Sequence, residues 1–161
     1  MRTNLNFHQP KKNGVGIIAD LREILERSNS VATVGASTNV AKAAGGVPQH
    51  LKTIGFHVIP VNPNAPEIFG ERSFGSLLDV EEPIDIVQVF RPSDEAPDIA
   101  RQAVQIGAKV LWLQLGITSP EARAIADEAG IDYVEDRCMG QETRRLRIRK
   151  SPAESRADRA S

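Results

Sequence analysis

The residues best suited to chemistry form the run Gly35-Ala36-Ser37-Thr38-Asn39, directly after the apolar run Val31-Ala32-Thr33-Val34. A glycine there lets the backbone turn sharply and approach a bound group closely. Three short polar side chains, then Lys42 and the pair Gly45-Gly46, add hydroxyls, a cation and an open backbone. Free N–H groups at the start of a helix favour phosphate, because they point along the positive end of its dipole. The run is read as a phosphate-binding turn, against the plainer reading of a simple strand-to-helix connection.

Two standard nucleotide signatures are missing. Ser37 stands where the second glycine of G-x-G-x-x-G would be, and G-x-x-x-x-G-K-[ST] does not occur. No carboxylate follows the second apolar run either. Asn62-Pro63-Asn64 stands where an NAD enzyme holds its ribose hydroxyls with an acid. A carboxylate would repel a phosphorylated ribose, so its absence suits coenzyme A or NADP better than NAD. His8, His50 and His57 lack metal-ligand spacing, so no metal site is expected. Cys138 is the single cysteine, which excludes an intrachain disulfide and a cysteine-rich zinc site. Its place after the last apolar run could bring it to a thiol-bearing ligand and allow a mixed disulfide; filling the core is the plainer reading. Asp132, Glu135 and Asp136 have no nucleophile or oxyanion donor beside them, so no reaction class follows. Trp112, between Leu111 and Leu113, reads as a buried strand residue.

The elements that must carry these residues alternate. Ile17, Ile18, Leu21, Ile24 and Leu25 recur at helical spacing. Strands are expected over 31–35, 56–61, 84–90, 109–113 and 131–134. Helices fall between them: Val47, Leu51 and Ile54 on one, Ile99, Ala100, Ala103 and Val104 on the next, and a third opened by Ser119-Pro120 and closed by Gly130. A short helix is expected near Ser76 to Asp79, after a turn-rich connection over 70–75. Pro48 places the start of the helix before Leu51 near Gly46 or Val47, since proline suits only a first turn. Parallel neighbours need crossovers, so the fold class is α/β. It is a single Rossmann-like domain, with a doubly wound parallel five-stranded sheet and flanking helices. The expected boundaries are a flexible arm over 1–14, the domain over 15–149 and a disordered tail over 150–161. Ligands in such sheets sit beyond the carboxyl ends of the strands, where the strand order reverses. That selects the segments after the first four strands: 35–46, 62–64, 90–93 and 114–118.

Five motifs in order carry a family resemblance. They are Val31-Ala32-Thr33-Val34-Gly35-Ala36-Ser37, Val58-Ile59-Pro60-Val61-Asn62-Pro63-Asn64, Asp85-Ile86-Val87-Gln88-Val89-Phe90-Arg91, Trp112-Leu113-Gln114-Leu115-Gly116 and Asp136-Arg137-Cys138. Together they resemble the small stand-alone CoA-binding proteins of bacteria and archaea. Those are similar to the N-terminal CoA-binding domain of the succinyl-CoA synthetase alpha subunit. The resemblance implies that Gly35, Ala36, Ser37 and Thr38 hold the CoA diphosphate. It implies that Asn62, Pro63 and Asn64 line the adenosine 3′-phosphate end, and that Phe90 and Arg91 flank the adenine and diphosphate. Gln114, Leu115, Gly116 and Ile117 would contact the pantetheine arm. Family members often have proline, arginine and serine where this chain has Val40, Lys42 and Ala44. Lysine keeps the charge at that position but lacks the bidentate fork of arginine. The resemblance ends at the binding domain, and no segment here supplies the phosphorylated-histidine domain of the synthetase.

Composition agrees with one soluble domain. The chain has 161 residues, 40% apolar and only 4% aromatic, so its core rests on small aliphatics. No stretch approaches the roughly 20 apolar residues of a membrane span, and no secretory core opens the chain, so the cytoplasm is the expected compartment. The net charge of −1 is uneven: from Glu142 to Ser161 there are seven basic and three acidic residues. Arg144, Arg145, Arg147 and Arg149 read first as a solvated face. The reading is a non-catalytic binder of CoA or acyl-CoA, with a homodimer through the first helix left open. One alternative is an NAD(P)-dependent enzyme. The other is an adaptor with a vestigial pocket whose basic tail binds nucleic acid or protein.

Overall fold

The computed structural model describes residues 14–151, with side chains from Leu21 onward. The N-terminal arm up to residue 13, with His8, and the tail from residue 152 lie outside the described residues. Helix α1 (Gly14–Arg27) leads into β1 (Ser30–Val34), α2 (Ala43–Thr53) and β2 (His57–Val61). A two-stranded hairpin, β3 (Glu67–Ile68) and β4 (Glu71–Arg72), precedes a 3-10 turn at Leu77–Asp79. Then come β5 (Ile86–Val89), α3 (Ala96–Gln105), β6 (Val110–Leu113), α4 (Pro120–Ala129), β7 (Asp132–Val134) and α5 (Met139–Arg145).

The five long strands make one parallel sheet in the order β2-β1-β5-β6-β7. Side chains alternate across it, as strand geometry requires. Val31, Val58, Ile86, Val110 and Trp112 face Leu21, Ile24 and Leu25 of α1, Leu51 of α2, Met139 of α5 and Leu146 directly after it. Ala32, Ile59, Val87 and Leu111 face the opposite layer, built from Ile99, Ala100 and Ala103 of α3 and Ala122 of α4. From β1 the chain winds outward through α2 to β2, then returns to β5 and winds the other way through α3 and α4. The direction therefore reverses between β1 and β5, the position at which open sheets of this kind generally bind ligands.

Local signals account for much of this. Ser119 Oγ accepts from the Ala122 N–H at 3.0 Å, Pro120 fills the first turn, and Gly130 ends α4 at φ 78°. Proline and glycine sit at the ends where each is tolerated. Trp112 is fully buried, and its indole N–H donates to Arg137 O at 2.8 Å.

Three expectations are corrected. Helix α2 starts at Ala43, so Pro48 lies inside it. The missing Pro48 N–H leaves the Ala44 carbonyl without its helical partner, and Ser37 N donates to that oxygen at 3.0 Å. The 70–75 connection contains a strand, β4, because the hairpin shields the edge of β2, where Phe74 bridges to Val61. Lys150 belongs to the domain rather than a tail: it is 8% exposed, its N–H donates to Ile54 O and its ammonium to Glu26 O. Helix α5 has no periodic apolar stripe in the sequence, because its seven residues carry a single apolar side chain, Met139.

Candidate functional site

The four segments selected from sequence meet along the carboxyl edge of the sheet and are tied into one rim. Gly35 takes φ 90°, and the Arg91 stem lies over it so closely that a Cβ there would stand 2.9 Å from Arg91 Cδ. Asn62 Nδ2 donates to Ala36 O at 2.8 Å, and Asn62 Oδ1 accepts from Asn64 N at 2.7 Å. The Asn62 amide thus joins the β1 and β2 loops. Thr118 N donates to Ser93 Oγ at 3.2 Å, joining the β5 and β6 loops. Gly116 N donates to Asp136 Oδ1 at 2.7 Å, joining β6 to β7. Asp136 reaches this position with φ 56°, a left-handed conformation that aspartate tolerates better than most residues.

The phosphate-turn candidate folds back on the start of α2. Asn39 N donates to Ser37 Oγ, Ala41 N to Asn39 Oδ1, and Lys42 N to Asn39 O. Gly45 and Gly46 are not the open backbone expected of them. A Cβ on Gly45 would lie 2.2 Å from Asn39 O, and one on Gly46 2.8 Å from Val40 O. Their bare Cα atoms are what lets the loop lie on the helix. Among the described residues, the N–H groups of Ala36, Thr38 and Val40 donate to no protein acceptor, and the Lys42 ammonium has no ion-pair partner.

Arg91 is engaged by protein. Its Nε and Nη2 donate to the two carboxylate oxygens of Glu95 at 3.0 and 2.9 Å. The same bonds hold the Glu95 carboxyl below its ordinary pKa and raise that of the guanidinium. Phe90 is half-buried, Pro63 and Asn64 are exposed, and Ile117 is half-buried. Leu115 and Val40 are each 61% exposed at the rim, although both are apolar.

A buried polar chain that pattern reading did not assign runs beneath this rim. Thr33, Gln88 and Gln114 share one sheet face, and none is more than 3% exposed. Thr33 Oγ1 donates to Gln88 Oε1 at 2.6 Å, and Gln88 Nε2 to Gln114 Oε1 at 3.0 Å. That same oxygen accepts from Met139 N at 3.2 Å. A backbone N–H can only donate, so it orients both amides. The Gln114 NH2 is then left with no protein acceptor among the described residues, although it is buried. The available signal was a glutamine at an inward position of an otherwise apolar strand. Cys138 is half-buried at the N-terminus of α5, one residue from the Met139 N–H that meets Gln114.

These groups suit a long ligand with phosphates at one end and amides and an apolar arm at the other. Unpaired N–H groups and a lysine offer donors to phosphate. An orphaned buried amide offers a donor to a carbonyl, and it is costly if left unmet. Among the described residues, no group of histidine, cysteine and carboxylates could hold a metal, and no helix is long and apolar enough to cross a membrane.

Known proteins resemble this chain in sequence and fold. Residues 29–144 match the family described as CoA binding domain. Protein YneT of Bacillus subtilis (strain 168) is 36% identical over 121 residues, 75% of this chain and 90% of that one. The solved structure of a Pyrococcus horikoshii OT3 protein is 36% identical, with a TM-score of 0.80 over 87% of this chain and 99% of that one. An ADP-forming acetate–CoA ligase (II) of Archaeoglobus fulgidus is 34% identical over 94 residues, 57% of this chain but 14% of the ligase. Since the family match runs through every strand of the sheet and all the loops of its carboxyl rim, the chain belongs to the CoA-binding domain family.

Proposed function

We propose that this chain is a non-catalytic, cytoplasmic protein that binds CoA or an acyl-CoA at the strand-order reversal between β1 and β5. The observation that carries the reading is the set of unpaired N–H groups on Ala36, Thr38 and Val40 at that reversal, in a member of this family. The diphosphate lies against these groups and Lys42. Pro63 and Asn64 flank the adenosine end, while Asn62 positions the β1 and β2 loops. Phe90 offers the adenine an apolar face. The pantetheine arm runs past Leu115 and Gly116, its amide carbonyl accepting from the Gln114 NH2, toward the neighbourhood of Cys138. The chain matches only 14% of the Archaeoglobus ligase in sequence, which supports a binding role rather than the whole ligase reaction.

Calorimetric titration with CoA, beside NAD and NADP, tests this. Saturable one-site binding of CoA is expected. Ser37→Glu places a carboxylate among the phosphate donors and should weaken binding about tenfold, the size of one poorly screened like-charge contact. Absence of CoA binding at millimolar concentration, or preference for NADP, sinks the reading.

Arg91 supplies a second test. A phosphate there would share the guanidinium with the Glu95 carboxylate, which neutralises much of its charge. Glu95→Gln removes the competing carboxylate and should tighten CoA binding a few-fold, as expected for an exposed ion pair. Lowering the pH through the depressed Glu95 pKa should act in the same direction, because the carboxylate holds Arg91 only while it is ionised. Unchanged affinity in the variant would place Arg91 outside the phosphate contacts.

A further inference from the structure

Away from the carboxyl edge, α2 and the chain after α5 enclose a pocket of about 370 Å³. Ile54 and Ile148 give it an apolar base, and both are buried. His50 and Thr143 stand together on it, the His50 Nε2 lying 3.2 Å from Thr143 Oγ1. The Thr143 hydroxyl gives its own proton to a carbonyl of the preceding helical turn, Met139 O at 2.8 Å or Gly140 O at 3.0 Å, so His50 Nε2 is the donor to it. Arg144, Arg147 and Arg149 complete the lining.

The backbone brings these three arginines together. Arg147 N donates to Arg144 O, and Ile148 N to Thr143 O at 2.9 Å, which closes α5 with a Schellman turn. The turn puts Arg147 at φ 57°, where glycine is usual. Beyond it the chain alternates: Leu146, Ile148 and Lys150 are buried, while Arg147 and Arg149 are exposed. Both guanidinium-bearing residues thus fall on the outer side, next to Arg144.

What separates this cluster from an ordinary solvated face is its lack of counter-charge. Arg137 and Arg145 nearby are both paired with Glu142. No carboxylate lines the pocket, and among the described residues Arg144, Arg147 and Arg149 have no ion-pair partner. Three like charges converging on a concave, partly apolar surface repel one another and favour a bound anion. His50 responds to them: burial first, then Arg144 and Arg149, hold its pKa below the ordinary histidine value.

We propose that the pocket formed by His50, Thr143, Arg144, Arg147 and Arg149 is a second anion site, which takes a small phosphoryl-bearing ligand. Guanidinium groups match phosphoryl oxygens in a bidentate fashion, and the His50 Nδ1 becomes a further donor once the ring is protonated. The site is independent of the proposed CoA site. His50 lies seven residues along α2 from Ala43, about 10 Å down the helix from the phosphate turn.

The test is titration of the full chain, with and without saturating CoA, by inorganic pyrophosphate and by ADP. The imidazole signal of His50, assigned by its loss in His50→Gln, is followed by NMR. Saturable movement of that signal, with a raised His50 pKa, is expected in both preparations. Arg147→Gln combined with Arg149→Gln should weaken binding about tenfold or more, with an unchanged melting temperature because both side chains are exposed. Equal affinity for the two probes would assign free polyphosphate as the ligand class, and tighter binding of ADP would assign a nucleotide. A His50 signal that moves no more than in matched sodium chloride, or binding unaffected by the arginine variants, overturns the proposal. Its failure is separable from failure of the CoA reading, because the arm without CoA reports on His50 alone.

Discussion

Gly45→Ala should lower CoA affinity about a hundredfold, the loss of one to two charge-assisted hydrogen bonds, while leaving the sheet folded. The added methyl would stand 2.2 Å from Asn39 O, 2.7 Å from Asn39 C and 3.0 Å from Ser37 O. All three atoms are backbone, so no side-chain rotation relieves the contact. The helix cannot retreat either, since Leu51 anchors α2 in the core. The loop must therefore lift, carrying the Thr38 and Val40 N–H groups away from any phosphate. Alanine is the better helix former by about 1 kcal/mol, which offsets part of the stability cost and keeps α2 intact. Gly75→Ala is the control, because a Cβ there meets nothing within 4 Å. Calorimetry with CoA and a thermal melt on both variants decide the matter. Equal affinity in the two would show that the phosphate turn can detach from α2 without consequence.

The second large effect is on stability. Gln88→Leu should destabilise the fold by about 2 kcal/mol and lower the melting temperature by roughly 4–8 °C. Leucine fills the volume but leaves the Thr33 hydroxyl without its acceptor and removes one of the two donors to Gln114 Oε1. Both partners are buried, so water cannot take over their bonds. Thr33→Val in the same chain should recover part of the loss, because it removes the stranded hydroxyl. The cost of the double variant should therefore fall below the sum of the two single costs. The Gln114 amide, held then by Met139 N alone, should also bind CoA less well in Gln88→Leu. Strict additivity in thermal melts would show that the three side chains do not act as one chain.

Much of the architecture was legible from residue order, because strands, helices and their ends are set locally. The short apolar runs, the helical stripes, Ser119-Pro120 and Gly130 all correspond to elements of the fold. The loops after each strand gather along one edge, because every strand of a parallel sheet ends on the same side. Membership of the CoA-binding domain family was likewise legible, in five short motifs spaced along the chain.

Other features depend on which distant atoms meet, and period and composition carry no record of that. Pro48 was read as a constraint on where α2 starts, but its consequence lies in the Ala44 carbonyl, which it leaves free to anchor Ser37. Gly45 and Gly46 were read as open backbone for a ligand, yet their missing side chains make room for Asn39 and Val40 of the same loop. The bond from Asn62 to Ala36 O across two loops, and the pairing of Arg91 with Glu95 four residues on, are equally invisible to period and composition. The row of Thr33, Gln88 and Gln114 exists only because three strands from separate parts of the chain pair in one register. Residue order was enough for the sheet and the family, since the first follows from local preference and parallel connection and the second from short motifs. Which donors at that edge remain unshared, and where three arginines gather without a counter-charge, was decided only by tertiary packing, because hydrogen bonds and ion pairs are allotted between groups that the chain brings together last.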